Sequence, residues 1–307
     1  MRRRGLTMIE CLVVISVIAI LIALIIPAVV ASREVARRSI CSANIRQICL
    51  GLSNYMTTYG KLPRGTVNQS PHYSVLPFIG QQTLYETIQR YGVKPSRILS
   101  VTIAAATPGI FLCPSGTRGS PDSGLGWTSY AGNRGSGFQT YGNNGIFVGP
   151  SGTGISTADI TDGTSNTVMI SEWILGTEDP SVRQGLRTVY HTPTKLAGKE
   201  QLNEFAAICA NLDPGTATVS PVVKGRNWLY GELGGTLYNH VLEPNANSCL
   251  NGTGVQIGAF SASSLHANGS NVGFVDGHVK FINSTISRSA WRNLGSRAGA
   301  ELHEDDF

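Results

Sequence analysis

Three side chains near the C-terminal end of the sequence have the types needed for metal binding or acid–base chemistry. His266 and Asp276 are separated by nine residues, and His278 lies two positions further on. Imidazole nitrogens and carboxylates are common zinc ligands and proton carriers. A structural role suits them as well, because Asp276-Gly277 is a turn sequence and His266 could bond to a loop. We favour the structural role and predict neither a catalytic residue nor a metal ligand here.

A second group of oxygen-bearing side chains surrounds Asp159 and Asp162, with Ser165 and Asn166 close behind. Calcium prefers such oxygens, but their spacing does not fit an EF-hand, and Asp-Gly-Thr-Ser-Asn is typical of a turn. Calcium is therefore the weaker interpretation, and no other cofactor is predicted. The sequence contains no HExxH pair, no G-x-S-x-G elbow and no P-loop. We predict that the protein is not an enzyme.

Six cysteines indicate the redox environment. Cys11 lies inside an apolar run and is expected to be a reduced thiol. The other five would face an oxidising space if the chain is exported, and an odd number leaves at least one of them free. We predict a Cys209–Cys249 disulfide, with Cys41–Cys113 as a less secure second pair. Buried thiols throughout are the alternative.

The N-terminal segment has the length and composition of a membrane-spanning helix. No charged residue occurs from Cys11 to Val30, which is about 20 residues or ~30 Å of helix. Arg2–Arg4 precede it and would hold the N-terminus in the cytoplasm. A secretory signal would have a shorter apolar core and a cleavage site after it. Here the cleavable bond, Gly5–Leu6, precedes the apolar run, so cleavage would remove the charges and keep the membrane segment.

Glu10 is the exception to the apolar character of this segment. A carboxylate at this position costs several kcal/mol unless something compensates it. After cleavage the nearest cation is the new amine of Leu6. A rigid helix prevents that amine from serving its own Glu10 easily. We therefore expect it to pair with Glu10 of a neighbouring subunit and to set the stagger between packed helices.

Gly5-Leu6-Thr7-Met8-Ile9-Glu10, followed by a long apolar helix, resembles the class III signal of type IV prepilins and type II secretion pseudopilins. The resemblance implies cleavage after Gly5 by a prepilin peptidase and methylation of the Leu6 amine. Leu6 stands where the family usually has phenylalanine, and it keeps the apolar character. The implied partners are the peptidase, other pilin or pseudopilin subunits and an inner-membrane assembly platform.

The same helix is expected to continue beyond the membrane. Pro27 should kink or loosen it. Further on, apolar residues recur at spacings of three and four until Gly60, which predicts one buried helical face. Those residues are Cys41, Ile45, Ile48, Leu52, Tyr55 and Tyr59. We divide the chain into a leader (1–5), a transmembrane and assembly helix (6–32), its extension on the soluble domain (33–60) and an extracytoplasmic domain (61–307).

That domain is turn-rich, with a short helix predicted within Ser74–Tyr91 and a final one at Ser287–Leu294. Between them, short apolar runs predict strands at 98–103, 110–112, 127–132, 145–148 and 167–175. Residues 176–250 are expected to form loops and short strands. Residues 271–282 predict a hairpin whose two-residue turn, Asp276-Gly277, needs positive φ at both positions. The fold class is therefore α+β, with a long helix on a mostly antiparallel sheet.

His266, Asp276 and Gly277 match the H-x9-DG signature of a large family of prepilin-like proteins with a domain of unknown function. Other stretches are similar to the same family, including those around Arg37-Arg38, Cys113-Pro114-Ser115 and Asp162-Gly163-Thr164. The resemblance extends over nearly the whole chain. It implies a family and a pilin-like fold, but it assigns no role to the His266 and Asp276 motif.

The charge distribution argues against nucleic-acid binding. The formal net charge is +5, and the three leader arginines supply three of those charges, so 5 − 3 = +2 remains after cleavage. The folded part has no basic stripe with interleaved aromatic residues. We expect a single-pass protein of the bacterial inner membrane with a cytoplasmic N-terminus and a periplasmic domain. After assembly it would belong to a periplasmic or cell-surface fibre.

The predicted function is that of a non-enzymatic pilin or pseudopilin subunit. Two alternatives stay open. One is a membrane-tethered module that does not polymerise and recognises a polysaccharide or envelope partner through Trp127, Trp173 or Trp228. The other, less favoured, is a metal-dependent hydrolase that uses His266.

Overall fold

The computed structural model describes residues 8–66, 70–91, 107–116, 125–139, 143–147, 153–177, 179, 182–253 and 257–299. A long helix begins this part of the chain, and a domain with a five-stranded and a three-stranded sheet follows it. The larger sheet is mixed but mostly antiparallel. This confirms the predicted α+β class, with a long apolar N-terminal helix packed on the sheet.

The first helix, α1, spans Met8–Tyr59, which is 52 residues or ~78 Å, and it continues through Pro27. Its first half is apolar on all sides and exposed. Its second half buries the face formed by Cys41, Ile45, Ile48, Cys49, Gly51 and Leu52. The buried face ends earlier than predicted, because Tyr59 is 61% exposed and its ring packs on Tyr55 and Phe78 at the domain edge. Gly60 follows α1 with a left-handed φ of 73°.

The larger sheet has the strand order β4-β1-β2-β7-β8, and the smaller sheet has the order β3-β5-β6. All neighbours in the larger sheet are antiparallel except β1 and β4. The strands are β1 (Tyr130–Asn133), β2 (Val168–Glu172), β3 (Val189–His191), β4 (Leu237–Tyr238), β5 (Ser248–Leu250), β6 (Gly258–Ala259), β7 (Gly269–Phe274) and β8 (Val279–Asn283).

In the described residues four further α-helices pack around the sheets: α2 (Pro71–Val75), α3 (Gln82–Tyr91), α4 (Leu202–Ala210) and α5 (Arg288–Gly295). The docked half of α1 covers one face of the larger sheet, where Ile45 and Leu52 join a core with Ile170. Helix α5 belongs to a second core, in which Trp291 packs with Val272. A third core surrounds α4. The central strands are therefore buried on both faces.

Close approach of α1 to the sheet depends on Gly273. A Cβ atom at this position would lie 2.5 Å from both Cys49 Sγ and Ile45 Cγ2. Such distances are well inside van der Waals contact, so a larger residue would push the helix off strand β7. A glycine in mid-strand, which weakens a strand by itself, is explained here by helix packing.

The short helix predicted within Ser74–Tyr91 is confirmed as α3, and Gly80 with φ 77° separates it from α2 and a 3-10 turn. Other predicted elements of the domain are wrong. The strand expected at 110–112 is a 3-10 turn, Gly109–Phe111, and residues 145–147 form bends. Residues 98–103 and 148 lie outside the described residues. Helix α4 falls where only loops and strands were expected.

The hairpin of β7 and β8 is present, but its turn differs from the prediction. Phe274 O accepts from Gly277 N at 3.0 Å, and Phe274 N donates to His278 O at 2.9 Å, which encloses a three-residue loop. Only Gly277 has positive φ, at 91°, and Asp276 does not. This is the type I turn with a following left-handed residue. The extra loop residue, Val275, is buried in the core under α1, which favours the longer loop.

Candidate functional site

The exposed half of α1 is the largest apolar surface in the described part of the chain. Its large apolar side chains range from 87% exposed at Met8 to 42% at Val29. Helix α1 is also the one described helix that is long and apolar enough to cross a membrane, judged by length and composition, and none of its most apolar window is buried. Glu10 lies in the first turn and is exposed. The predicted cleavage residues Gly5 and Leu6 lie outside the described residues.

A buried polar cluster lies where α1 passes from its exposed half to its docked half. It contains Glu34 on α1, Glu172 at the end of β2, and His266 in the turn before β7. His266 Nδ1 donates to Glu34 Oε1 at 2.6 Å, and its Nε2 lies 3.7 Å from Glu172 Oε1. The side chains of His266 and Glu172 are both 2% exposed. The imidazole of His266 thus lies between the carboxyl groups of Glu34 and Glu172, which are far apart in the sequence.

Local hydrogen bonds fix the orientation of both ends of this cluster. Ser264 Oγ accepts from His266 N at 3.1 Å and donates to Gly269 O at 2.7 Å, which holds the turn that presents the imidazole. Asn271 donates its backbone N–H to Glu172 Oε2 and its side-chain amide to Glu172 Oε1, both at 3.0 Å. The carboxylate of Glu172 therefore keeps partners despite its burial, as buried charges require.

The two carboxyl groups respond differently to their surroundings. Burial raises the pKa of Glu172, against the hydrogen bonds from Asn271 and the charge of His266. Burial also acts to raise the pKa of Glu34, but hydrogen bonds from His266 and Arg37 outweigh it, and the pKa is lowered. Glu34 is therefore the more firmly ionised partner of His266.

A disulfide between Cys41 and Cys113 borders the cluster, with Cα atoms 5.2 Å apart. Cys113 Sγ lies 3.7 Å from His266 Nε2. The ligand atoms of Cys41, Cys113, Glu172 and His266 all lie within 4.8 Å of one another, although the two sulfur atoms are bonded to each other here. This disulfide links α1 to the segment after the Gly109–Phe111 turn, and it is the pair that the sequence predicted less securely.

The structure does not bring His266 together with Asp276 and His278, which was the less favoured alternative for these residues. Asp276 Oδ1 lies 2.7 Å from His278 Nδ1 at the tip of the hairpin, where both side chains are partly exposed. Gly277 there faces Leu50, whereas His266 faces Glu34, 16 positions earlier on α1. At 1.5 Å per residue those two points are ~24 Å apart. The H-x9-DG motif therefore marks the two ends of β7, and a hydrolase site combining them has no geometric basis.

The structure pairs Cys209 with Cys249, with Cα atoms 6.0 Å apart. The pair lies in the apolar core around α4. Among the described cysteines Cys11 and Cys49 stay as thiols, and Cys49 lies on the buried face of α1. Burial raises the pKa of the Cys49 thiol.

The predicted calcium ligands are engaged in backbone contacts. Asp159 Oδ2 accepts from Ser156 N at 2.8 Å and from its hydroxyl at 2.6 Å, which forms a capping box on a short 3-10 turn. Asp162 Oδ2 accepts from Gly299 N at 2.7 Å. Within the described ranges, no group of three or more potential metal ligands includes either aspartate. These contacts favour the turn-capping interpretation over calcium.

The tryptophans suggested for polysaccharide recognition are buried. Trp127, Trp173 and Trp228 are 6%, 2% and 0% exposed. Trp173 Nε1 donates to Thr128 O at 2.7 Å inside the domain. A stacking platform for a sugar needs an exposed ring face, so these residues do not provide one.

Sequence reasoning missed two members of the buried cluster. Glu34 appears in the sequence only as an acid among arginines, and Glu172 as the last residue of an apolar strand. Glu172 nevertheless offers a usable signal, because it closely follows the apolar run 168–170. A carboxyl group at the end of a buried strand needs a partner inside the domain.

Two family models match the chain. The family described as protein of unknown function (DUF1559) matches residues 30–289, and the prokaryotic N-terminal methylation motif matches residues 1–26. No curated protein and no solved structure gives a significant match. The first match covers most of the chain, and the second covers the segment that leads into α1. The chain therefore belongs to the DUF1559 family and is a type IV pilin-like protein with a prepilin-type N-terminal methylation motif.

Proposed function

We propose that the protein is a non-enzymatic pilin or pseudopilin subunit, cleaved after Gly5, methylated at Leu6 and assembled through the first half of α1 into a pilus or a type II secretion pseudopilus. The observation that carries this proposal is the exposed apolar half of a helix whose other half is docked on the domain. Such a surface needs either lipid or other helices around it. A subunit that passes from membrane to fibre meets both in turn.

The position of Glu10 supports assembly rather than simple anchoring. It lies in the first turn of α1, four residues from the amine that cleavage at Gly5 would create. Methylation keeps that amine positively charged, so it can pair with Glu10 of an adjacent subunit. One such pair per contact fixes the axial stagger of otherwise featureless apolar helices.

Two disulfides support an extracytoplasmic domain, because disulfides persist in oxidising compartments. Arg2–Arg4 support a cytoplasmic N-terminus. The proposed partners are a prepilin peptidase, other pilin-like subunits and an inner-membrane assembly platform. The domain, held rigidly by the docked half of α1, would form the outer surface of the fibre.

The test is Glu10→Gln in the native host, with Ser16→Ala as a matched control on the same exposed half. Ser16 Oγ donates only to Val13 O within the helix, so its loss leaves the assembly surface unchanged. We expect Glu10→Gln to remain in the membrane fraction and to be absent from sheared fibres. We expect Ser16→Ala to behave as wild type.

Peptide mass spectrometry of the mature protein tests the processing step. The expected N-terminal peptide begins at Leu6 and carries one methyl group. An intact Met1–Gly5 leader in the exported protein, or normal fibres from Glu10→Gln, would refute the proposal.

A further inference from the structure

We propose that Cys41, Cys113, His266 and Glu172 form a binding site for a zinc-type divalent cation when the Cys41–Cys113 disulfide is reduced. The disulfide and the metal site would then be alternative states of one junction between α1 and the domain. This inference goes beyond assembly of the fibre, because it concerns a site in the domain that neither leader cleavage nor Glu10 requires.

The donor types and distances fit a tetrahedral ion. Two thiolates, an imidazole and a carboxylate are all ligands that zinc accepts. Metal–ligand bonds of about 2.0–2.3 Å place neighbouring ligand atoms about 3.3–3.8 Å apart. His266 Nε2 lies 3.7 Å from both Cys113 Sγ and Glu172 Oε1. Those two edges of the tetrahedron are already present, and the four donor atoms lie within 4.8 Å of one another.

Residues behind the donors orient them as in established metal sites. A metal-binding histidine usually donates its other ring N–H to a carboxylate, which fixes the tautomer. Here Nδ1 of His266 donates to Glu34 Oε1 at 2.6 Å, which leaves the Nε2 lone pair directed at the sulfur atoms and Glu172. Asn271 holds Glu172 in turn through two hydrogen bonds. Both protein ligands other than cysteine therefore have an ordered outer partner.

The Cys209–Cys249 disulfide lacks the polar side chains that surround the Cys41–Cys113 disulfide. Cys209 and Cys249 lie among apolar side chains around α4, and no group of potential metal ligands in the described residues includes them. A disulfide that serves only as a crosslink needs no imidazole or carboxylate beside it. Cys113 is also partly exposed, so a reductant and an ion have access to one of the two sulfur atoms.

The chemistry of the switch balances with a dithiol as reductant. The dithiol transfers two electrons and two protons, the Cys41–Cys113 bond breaks to give two thiols, and the reductant becomes a disulfide. Binding of the cation then displaces both thiol protons to solvent. Oxidation reverses the sequence, because forming the sulfur–sulfur bond removes two of the four ligands and releases the ion.

The experiment uses the full chain in detergent, reduced with dithiothreitol and desalted without oxygen. We expect cobalt(II) to bind as a single ion per chain with a thiolate-to-cobalt charge-transfer band, and zinc to displace it. The oxidised chain should show no such band. Zinc should also protect the partly exposed Cys113 from alkylation in peptide mapping.

Substitutions distinguish the proposed metal ligands from Glu34, which orients His266. Cys113→Ser and Glu172→Gln should weaken cobalt binding, and Glu34→Gln should weaken it about 10–100-fold through the outer partner. A Cys209→Ser, Cys249→Ser double variant is the matched control and should bind as wild type. The proposal is overturned if the reduced wild type binds no cobalt, if Cys113→Ser binds as tightly, or if zinc does not protect Cys113 from alkylation. Loss of native circular dichroism on reduction without recovery on adding zinc also overturns it.

Discussion

The two halves of α1 belong to one continuous helix and meet opposite surroundings. Leu24 in the first half is 68% exposed, and Leu52 in the second half is fully buried. The first half is apolar on every side, whereas the second half confines its buried residues to one face. A helix that is apolar all round needs lipid or other helices, and one with a single apolar face docks on a domain. The distribution of apolar residues around the helix axis, rather than helix propensity, therefore distinguishes the exposed half from the half that docks on the domain.

Three side-chain contacts lie at the boundary between the two halves of α1. Glu34 is the α1 residue that His266 binds, and Cys41 begins the buried face and is joined to Cys113. Arg38 places its guanidinium 3.6 Å from the centre of the Phe281 ring on strand β8. A hydrogen bond, a covalent bond and a cation–π contact thus fix the point at which the helix leaves the domain.

The largest effect on folding should come from exchanging a leucine for alanine in the docked half. Leu52→Ala removes a side chain from the core between α1 and the sheet and should lower the free energy of unfolding by about 2–5 kcal/mol. Urea unfolding in detergent, followed by tryptophan fluorescence, measures it.

The matched control is the same exchange in the exposed half, Leu24→Ala. It should change the free energy of unfolding of the domain by less than about 0.5 kcal/mol. Equal losses from the two variants would show that the halves are not energetically distinct and would break the comparison.

Acid should destabilise the folded domain through buried histidines. Burial lowers the pKa of His72, in α2 beneath α1, to about 4, and that of His240 to about 3. Between these values and the ordinary 6.5, the unfolded chain binds protons that the folded chain does not. Stability is therefore full above 6.5 and falls as the pH drops, by about 1.4 kcal/mol per pH unit for each histidine at most.

His72→Gln sharpens this prediction, because glutamine does not titrate. The variant should lose less stability than wild type between about pH 7 and about pH 5, measured by urea unfolding at both values. An unchanged dependence on pH would show that His72 does not contribute to the acid sensitivity of the contact with α1.

Close packing between the docked half and the sheet should be sensitive to one added methyl group. Gly273→Ala would place a carbon against Ile45 and Cys49 and should destabilise the domain by about 1–3 kcal/mol. Gly109→Ala, at a position with no atom within 4 Å, is the control and should be nearly neutral. Thermal melting of both variants tests the difference, and equal melting temperatures would contradict it.

The smallest effect is expected at the boundary itself. The lowered pKa of Glu34 means that its contribution to stability is present above its ordinary value of 4.5 and is lost as the pH falls through the folded-state pKa. Because Glu34 is partly exposed, Glu34→Gln should cost about 0.2–1 kcal/mol at neutral pH and flatten the dependence below 4.5. A loss that is larger at acid pH would contradict this assignment.

Much of the fold was accessible from the sequence because it depends on local patterns. The apolar run, the stripe beginning at Cys41, the closing glycine at Gly60 and the final helix are all short-range signals. Helix α4 and the loop at Asp276 were not accessible in the same way. The first is only nine residues long and lies in a segment interrupted by proline and glycine, and the second was decided by burial of Val275 under α1.

The sequence by itself determined that the chain has a prepilin-type N-terminus and a helix that is apolar all round before it becomes one-sided, because charge, length and period need no knowledge of distant residues. Only the tertiary structure decided that His266 meets Glu34, Glu172 and the Cys41–Cys113 pair rather than Asp276. Those partners come from α1, from β2 and from the segment after the Gly109–Phe111 turn. Sequence spacing along β7 joins His266 to Asp276, but an extended strand holds its two ends apart, and chain folding brings the distant groups together.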